Sequence, residues 1–483
     1  MAERNELGIT VRKLDDTPEW YTQVIQKAQI ADFAPIKGCM VLRPAGYALW
    51  ENLVQYFDAN IKKLGVKNAY FPMFIPEEYF QREAQHAEGF KAEVAWIERR
   101  TEGDTRYAIR PTSEAIISDF FSKWLRSWRD LPIRINQWCN ICRWEVQDCK
   151  MFIRSREFLW QEGHCIYETK EECHKETMMF LEEYRKVAED LLAIPVIKGQ
   201  KTEKEKFAGA DRTYTIEAFM PDGKALQVGT SHDLGHHFPK AFNIKFVGRE
   251  EQEKYPYQNS WGISWRMIGA LIMTHSDDKG LVLPPHIAPN KVVIVPIIFE
   301  DTKEKVLSKA EEIKKNIETS ATTHHCNPLL DDREGYTPGW KFNEWELKGI
   351  PVRLELGPKD LEKEQCVLVR RDTGKKEFVK LKDVTTKINE ILEAMQHDLF
   401  KKAKTFLDKS IVAVDTWKAF EKVIMDKKLA RAPFCGSIAC EELLKEKTQG
   451  VTSRCIVNDL MKGKRCVHCN NDATIEVLFG RNY

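Results

Sequence analysis

The chain has 483 residues, 43% hydrophobic and 10% aromatic, enough to bury substantial cores in roughly two to four domains and to exclude a disordered protein. Lysine and arginine total 74 against 73 acidic residues, so a net charge of +1 gives no global field for nucleic acid, and any RNA site must be a local patch. Thirteen cysteines, an odd number, argue for reduced thiols and a cytoplasmic setting, while the acid-bearing start fits neither a secretory signal nor a transit peptide and no apolar run marks a membrane span.

Residues 19–33 space Trp20, Val24, Ile25, Ala28 and Phe33 as an amphipathic helix that Pro35 breaks. YALWENLVQYFDANIKKLG predicts a second helix ending at Gly65, and NAYFPMFIP a strand whose Pro72 and Pro76 limit pairing. IRINQWCNICRWE, REFLWQEGHCIYE and ALQVGTSHDLG read as strands of a large antiparallel sheet, with a polar loop over Val146 to Ser155. SWGISWRMIGALIMTHS passes from small residues into an apolar helix.

Prolines at LVLPPHIAPN mark a domain boundary before the buried-strand pattern KVVIVPIIF. Helices are then expected at EDTKEKVLSKAEEIKKNIE, KFNEWELKGI and KLKDVTTKINEILEAMQHDLFKKAKTFL. Between them lie strands at HHCNPLLDD, PVRLELGP and EQCVLVRRD, an alternation that indicates a compact α/β domain. The remainder, with two cysteine pairs and the ending EVLFGRNY, reads as a third, small unit. The divisions expected are 1–286, 287–398 and 399–483.

Arg143 and Glu145, two residues apart on a predicted strand, share a face. An isolated RxE is more often a surface ion pair, but a basic loop with Lys150, Arg154 and Arg156 follows. A strand carrying Phe158, Trp160 and Glu162 then returns, and such a hairpin can clamp a nucleotide by arginine on phosphate and aromatic ring on purine. Arg266, in NSWGISWRMIGA, sits at a strand-to-helix junction where small residues let a backbone approach; a snorkelling arginine is the plainer alternative. In RPTSE, Thr112 and Glu114 offer a hydroxyl and a carboxylate to a protonated amine, and the same residues suit a helix start.

A proline-bearing helix-strand segment, an RxE hairpin and a late glycine-arginine helix, in that order, resemble motifs 1, 2 and 3 of class II aminoacyl-tRNA synthetases. RPTSE, RWE, REFLWQEGH, GTSHDLG and GLVLPP, with a C-terminal tyrosine, resemble within them the prolyl-tRNA synthetase family, archaeal/eukaryotic-like type, over essentially the whole chain. The resemblance implies a fold class of α/β multidomain type: an antiparallel sheet flanked by helices, an α/β anticodon-binding domain, and a small zinc-binding α+β domain. It implies a homodimer with Pro72 at the interface, ATP-dependent activation of L-proline, transfer to tRNA(Pro), and other synthetase-associated proteins as further partners.

Carried over residue by residue, the resemblance implies that Arg143 contacts the α-phosphate and Glu145 receives the adenine amino group. Arg154, Phe158, Gln227, Thr230 and Arg266 complete the ATP site, with Mg2+ as helper. Arg143 and Arg266 are the expected catalytic residues, since positioning and charge neutralisation suffice for in-line attack on the α-phosphorus. Thr112, Glu114, Arg143, Trp160, Glu162, His164, Phe207, His232 and Ser264 are expected around proline, in a flat apolar pocket. The chain departs from the family at Ser264-Trp265, where two small hydroxyl residues are expected.

A small pocket discriminates by only about 1–3 kcal/mol per methylene, so alanine or cysteine is expected to enter. The stretch from Glu162 to Gln227 is too short for an inserted editing domain, which leaves editing to another protein.

Cys435, Cys440, Cys466 and Cys469 have the spacing of a tetrahedral zinc site in a reduced compartment, His468 being the poorer ligand. Cys139 and Cys142 face opposite sides of their strand and are expected in the core. Glu346, Arg353 and Lys359 match anticodon-facing positions of the family, where single-stranded guanine edges are read. A threonyl enzyme, the first rival, needs zinc ligands in its catalytic domain. A non-catalytic relative, the second, is expected to have lost Arg143, Glu145 or Arg266, and all three are present.

Overall fold

A computed structural model describes residues 8–86, 93–320, 326–459 and 463–483. The first helix, α1 (Thr17–Lys27), starts where the Asp16 carboxylate accepts from Glu19 N (3.1 Å) and buries Trp20, Tyr21, Val24 and Ile25. It ends earlier than its apolar spacing predicts, because Gln29 takes a left-handed φ of 61°, and Ala31–Phe33 instead pairs with Met40–Leu42. The second, α2 (Pro44–Lys63), begins on Pro44, whose fixed φ suits a first turn, and stops before Gly65 at φ 81°. Of the predicted strand around Pro72 only Lys67–Asn68 and Phe74–Pro76 pair, on either side of the proline stretch.

The elements that carry the cleft follow: α3 (Glu114–Trp124), β1 (Ile133–Cys142), β2 (Glu157–Tyr167), α4 (Lys170–Lys186), β3 (Ile197–Gln200), β4 (Arg212–Phe219), β5 (Lys224–Gly235), β6 (Tyr257–Ser264) and α5 (Arg266–His275). Neighbours run β3-β4-β5-β6-β2-β1, antiparallel throughout, with Lys67–Asn68 added parallel at the β1 edge. α2, α4 and α5 pack their apolar faces on this sheet through Phe57, Phe180, Tyr184, Trp261 and Ile268, which share one core. Trp261 stacks on Phe180 with ring centroids 3.9 Å apart.

The next unit has a five-stranded sheet ordered Leu329–Leu330, Val292–Pro296, Val352–Leu356, Gln365–Arg370 and Lys376–Lys380, parallel for its first three strands. Helices Lys303–Thr319, Pro338–Leu347 and Val384–Ser410 accompany it, and Ile294, Ile313, Leu354 and Ile388 form its core. The leading part of the predicted HHCNPLLDD element, residues 324–325, lies outside the described residues. Arg371 joins this unit to the first one, donating to Asp277 through both terminal nitrogens (2.8 and 2.7 Å).

The third unit has its own core around Phe420, Phe434 and Phe479, yet its sheet is not separate. Thr452–Asp459 pairs with β3 at Ile456 and Gln200, and Ile475–Asn482 lies parallel to β5 at Lys224 and Ala225. One continuous sheet of 11 strands therefore runs from the first unit into the C-terminal one. The helix Val384–Ser410 passes unbroken through residue 398.

Candidate active site

The two strands predicted on either side of the basic loop pair as a hairpin, with one change at its tip. β1 ends at Cys142, so Arg143 and Glu145 stand in the turn beyond it rather than on a strand face. Arg143 N still donates across the hairpin to the Arg156 carbonyl (2.6 Å), and Val146 N then donates to the Arg143 carbonyl (3.3 Å), which turns the chain away. The guanidinium of Arg143 lies 5.6 Å from the Phe158 ring and 5.7 Å from that of Trp160.

The loop Val146–Ser155 is not polar throughout. Met151, Phe152 and Ile153 are buried, Tyr21 donates to the Met151 carbonyl (2.9 Å), and Arg266 Nε donates to the Ile153 carbonyl (2.9 Å). This apolar plug fixes the loop and leaves Arg154 exposed at its rim. A Cβ on Gly269 would meet Phe152 Cβ at 2.9 Å, so α5 approaches the plug only through a glycine.

Arg266 opens α5, its backbone N donating to Ser264 Oγ (3.2 Å) and its Nη1 to the Gln227 carbonyl (3.1 Å). Burial, with Arg143 next, lowers its pKa to about 10, which leaves it cationic at neutral pH. Trp265, the residue that departs from the family pattern, turns into the core and packs edge-on against Phe152 at 5.8 Å.

These groups surround a cleft of two adjoining lobes. The first, about 280 Å3, is lined by Arg143, Glu145, Arg154, Phe158, Gln227 and Arg266 among others. The second, about 410 Å3, shares five of these and adds Thr112, Glu114, Trp160, Phe207, Thr230 and His232. Ser264 lines both. Glu114 is buried to 5% and accepts a short hydrogen bond from Thr112 Oγ1. Ser113 starts α3 without capping it, because its hydroxyl donates instead to Glu162 Oε1 (2.5 Å).

Glu162 and His164 do not line either lobe; they form the layer beneath. Glu162 accepts from Ser113 N (3.2 Å) and Gln137 Nε2 (3.0 Å), and its Oε2 lies 3.0 Å from His164 Nε2. Burial works to raise the Glu162 pKa, but His164, Ser113 and Gln137 overcome it and hold the carboxylate below its usual range. Burial likewise works against a charge on His164, and Glu162 overturns it, so the His164 pKa is raised. Cys139, on the same strand face as Gln137, comes within 3.5 Å of Glu162, whereas Cys142 is buried on the other side.

His232 approaches Thr213 Oγ1 through Nδ1 (3.0 Å) and its ring lies 4.8 Å from that of Phe207. Burial, then the charges of His164 and Arg143, lower its pKa to about 3, so it faces the lobe neutral.

Sequence reasoning missed several lining residues. Glu93 and Glu205 line the second lobe, and Glu205 also the first, beside Lys201, Arg454, Asn482 and Tyr483. The last three come from the C-terminal unit, and only its sheet continuity brings them there. Tyr483 donates its phenol to Asp222 (2.7 Å).

At the C-terminus the sulfurs of Cys435, Cys440, Cys466 and Cys469 lie within 4.8 Å of one another. Cys440 and Cys466 are 3.9 Å apart and Cys435 and Cys469 3.7 Å, close to the ~3.8 Å edge of a tetrahedron with bonds of about 2.3 Å. His468 Nδ1 sits 3.3 Å from Cys440 Sγ, outside this sulfur set. All thirteen cysteines are free thiols.

In the five-stranded unit Glu346 and Arg353 line one small depression with Trp345, Arg370 and Arg371, while Lys359 is exposed and outside it. Glu346 accepts from Lys279 (2.9 Å), and Arg353 lies over the Phe342 ring at 4.4 Å. Among the described residues no helix is long and apolar enough to cross a membrane.

Comparison with known proteins agrees along the whole chain. The family model described as tRNA synthetase class II core domain (G, H, P, S and T) matches residues 90–275, the anticodon binding domain 291–391, and prolyl-tRNA synthetase, C-terminal, 417–483. A proline–tRNA ligase of Natranaerobius thermophilus is 47% identical over 474 residues, 97% of each chain. Proline–tRNA ligase 2 of Bacillus cereus is 49% identical over 489 aligned positions, covering all of both chains. The crystal structure of a prolyl-tRNA synthetase from Cryptosporidium parvum, complexed with halofuginone and AMPPNP, superposes with a TM-score of 0.92 at 42% identity, over 99% of this chain and 97% of that one.

Proposed function

Because the chain belongs to the prolyl-tRNA synthetase family, we propose that the two lobes divide its reaction, ATP in the first and proline in the second. The protein is a ligase that activates L-proline with ATP and transfers the prolyl group to tRNA(Pro). The observation that carries the division is that Arg143 and Arg266 line both lobes while Glu114 lines only the second. The arginines thus stand where the carboxylate of proline meets the α-phosphate, and the buried carboxylate stands where the ring amine is held.

In this reading Arg143 and Arg266 neutralise the α-phosphate as the carboxylate oxygen attacks in line and pyrophosphate leaves. Phe158 stacks on adenine, Glu145 accepts from its amino group, Arg154 and Gln227 complete the contacts in the first lobe, and Thr230, which lines only the second, meets the nucleotide where the lobes adjoin. Thr112 and Glu114 receive the proline nitrogen, with Trp160, Phe207, His232 and Ser264 as walls. Glu162 and His164 act one layer down, where Glu162 positions the Ser113 backbone at the start of α3. Mg2+ would offset phosphate charge, and it needs few protein ligands, one of which the Glu205 carboxylate on the lobe wall can supply.

The four C-terminal thiolates fit zinc as a closed structural site, with no position open for chemistry. Glu346, Arg353 and Lys359 contact the anticodon, supported by the depression that holds the first two. Tyr70 and Phe74, 76% and 48% exposed beside Pro72, support a homodimer through that segment. We place the protein in the cytoplasm and divide it at 1–286, 287–398 and 399–483.

Proline-dependent exchange of pyrophosphate into ATP tests the reading directly. It requires exchange with proline that Glu114→Ala strongly reduces. Zinc-loaded protein showing no exchange with any of the twenty amino acids would overturn it.

A further inference from the structure

We propose that Lys201 and Arg454 form a cationic subsite for the polyphosphate end of ATP and for pyrophosphate, shared between the catalytic and C-terminal units and positioned by Glu217. The proposal rests on the assignment of the first lobe to ATP.

Both cations line the first lobe, yet their side chains are only 3% and 5% exposed. Lys201 Nζ donates to Glu217 Oε1 (2.7 Å) and to the Arg454 carbonyl (2.8 Å). Arg454 donates to Glu217 Oε2 from Nε (3.1 Å) and Nη2 (2.8 Å), and to Thr452 Oγ1 from Nη1 (3.0 Å). Thr215 also donates to Glu217 Oε1 (3.0 Å), so the carboxylate is well supplied with donors.

The cations are not used up in the same way. An ammonium has three N–H donors and a guanidinium five. Two and three are in use, which leaves one on Lys201 and two on Arg454. Two cations against one carboxylate give the group a net charge of +1. Burial works to raise the Glu217 pKa, but Lys201 and Arg454 overcome it and keep Glu217 ionised.

The excess is shared by the lobe as a whole, whose wall carries Arg143, Arg154, Arg266, Lys201 and Arg454 against Glu145 and Glu205. A cavity with this surplus suits a polyanion. Buried cations fixed in advance by hydrogen bonds need no reorganisation when it arrives. Arg454 reaches the lobe because Thr452–Asp459 pairs with β3, the strand that leads into Lys201. Glu217 lies opposite Gln227 on β5, whose carbonyl holds Arg266, so the subsite and the α-phosphate clamp share adjoining strands.

Arg454→Gln and Lys201→Met test the proposal, because each leaves a one-to-one ion pair and neither strands Glu217 alone in the core. In pyrophosphate exchange each variant is expected to raise the KM for ATP by about tenfold, the loss of one charge-assisted contact, with the KM for proline unchanged. The Kd for inorganic pyrophosphate should rise in parallel. An unchanged ATP KM in folded variants overturns the subsite, as does an equal rise in both KM values, which marks a structural staple only. If Arg454→Gln does not fold, Lys201→Met decides. Arg266→Ala and Phe158→Ala are measured alongside. If these impair ATP use while Lys201→Met and Arg454→Gln behave as wild type, the subsite fails and the ATP lobe stands. If they too leave the ATP KM unaltered, the lobe assignment itself fails.

Discussion

Glu114 sets a buried carboxylate, engaged by Thr112, into the wall of the second lobe, which we propose holds proline. Replacing it by alanine removes the partner of a cationic amine in a low-dielectric site, and kcat/KM for proline should fall by about a hundredfold or more, read by pyrophosphate exchange. His232 provides a pH test. Its pKa is lowered to about 3 in the fold from the usual 6.5, so the unfolded chain binds its proton first. The stability it contributes is therefore complete above pH ~6.5 and is lost as pH falls toward about 3. Urea midpoints should decline over that window, and His232→Gln should flatten the decline. Alternation along β2 made the common face of Trp160, Glu162 and His164 legible, but a period of two gives the face and not the depth. Depth is set by Ser113 and Gln137 coming from other elements. Gly163 was silent for a similar reason: a Cβ there would lie 2.0 Å from the Trp261 ring, a contact two strands supply together.

Among the elements, the β1–β2 hairpin and α5 were readable because aromatic alternation and an apolar helix are local patterns. The loop between the hairpin strands was not, since Met151-Phe152-Ile153 is too short for a periodicity and is buried by distant partners such as Tyr21, Trp265 and α5. Gly269→Ala puts this packing to the test. Its new methyl must displace Phe152 or Tyr21, and overpacking should cost about 1–3 kcal/mol in urea unfolding. Because the plug holds Arg154 and the Ile153 carbonyl that binds Arg266, the ATP KM should rise with little change in that for proline. An unaltered ATP KM would show that the plug does not steer the loop.

For the whole molecule, the order of three units was legible from proline clusters and cysteine pairs, whereas the sheet joining the first unit to the last was not. Strand pairing between residues hundreds of positions apart leaves no local mark, and Arg454 and Tyr483 entered the cleft by that route. Metal analysis should give about one zinc per chain, and Cys440→Ser should lower both the metal content and the melting temperature. Phe74→Asp should yield a monomer by sedimentation if the Pro72 segment forms the dimer contact.

The pairing of Ile475–Asn482 with β5 also sets a timetable. Motifs 1, 2 and 3 have all left the ribosome while this strand is still being made, because translation reaches it some 200 residues after α5. A nascent chain that has already folded its aromatic core still lacks one wall of the first lobe. The wall that Arg454, Asn482 and Tyr483 give this lobe is therefore the last part of it to be made, and messages cut short before Thr452 would yield a protein with motifs 1, 2 and 3 and an open-sided lobe.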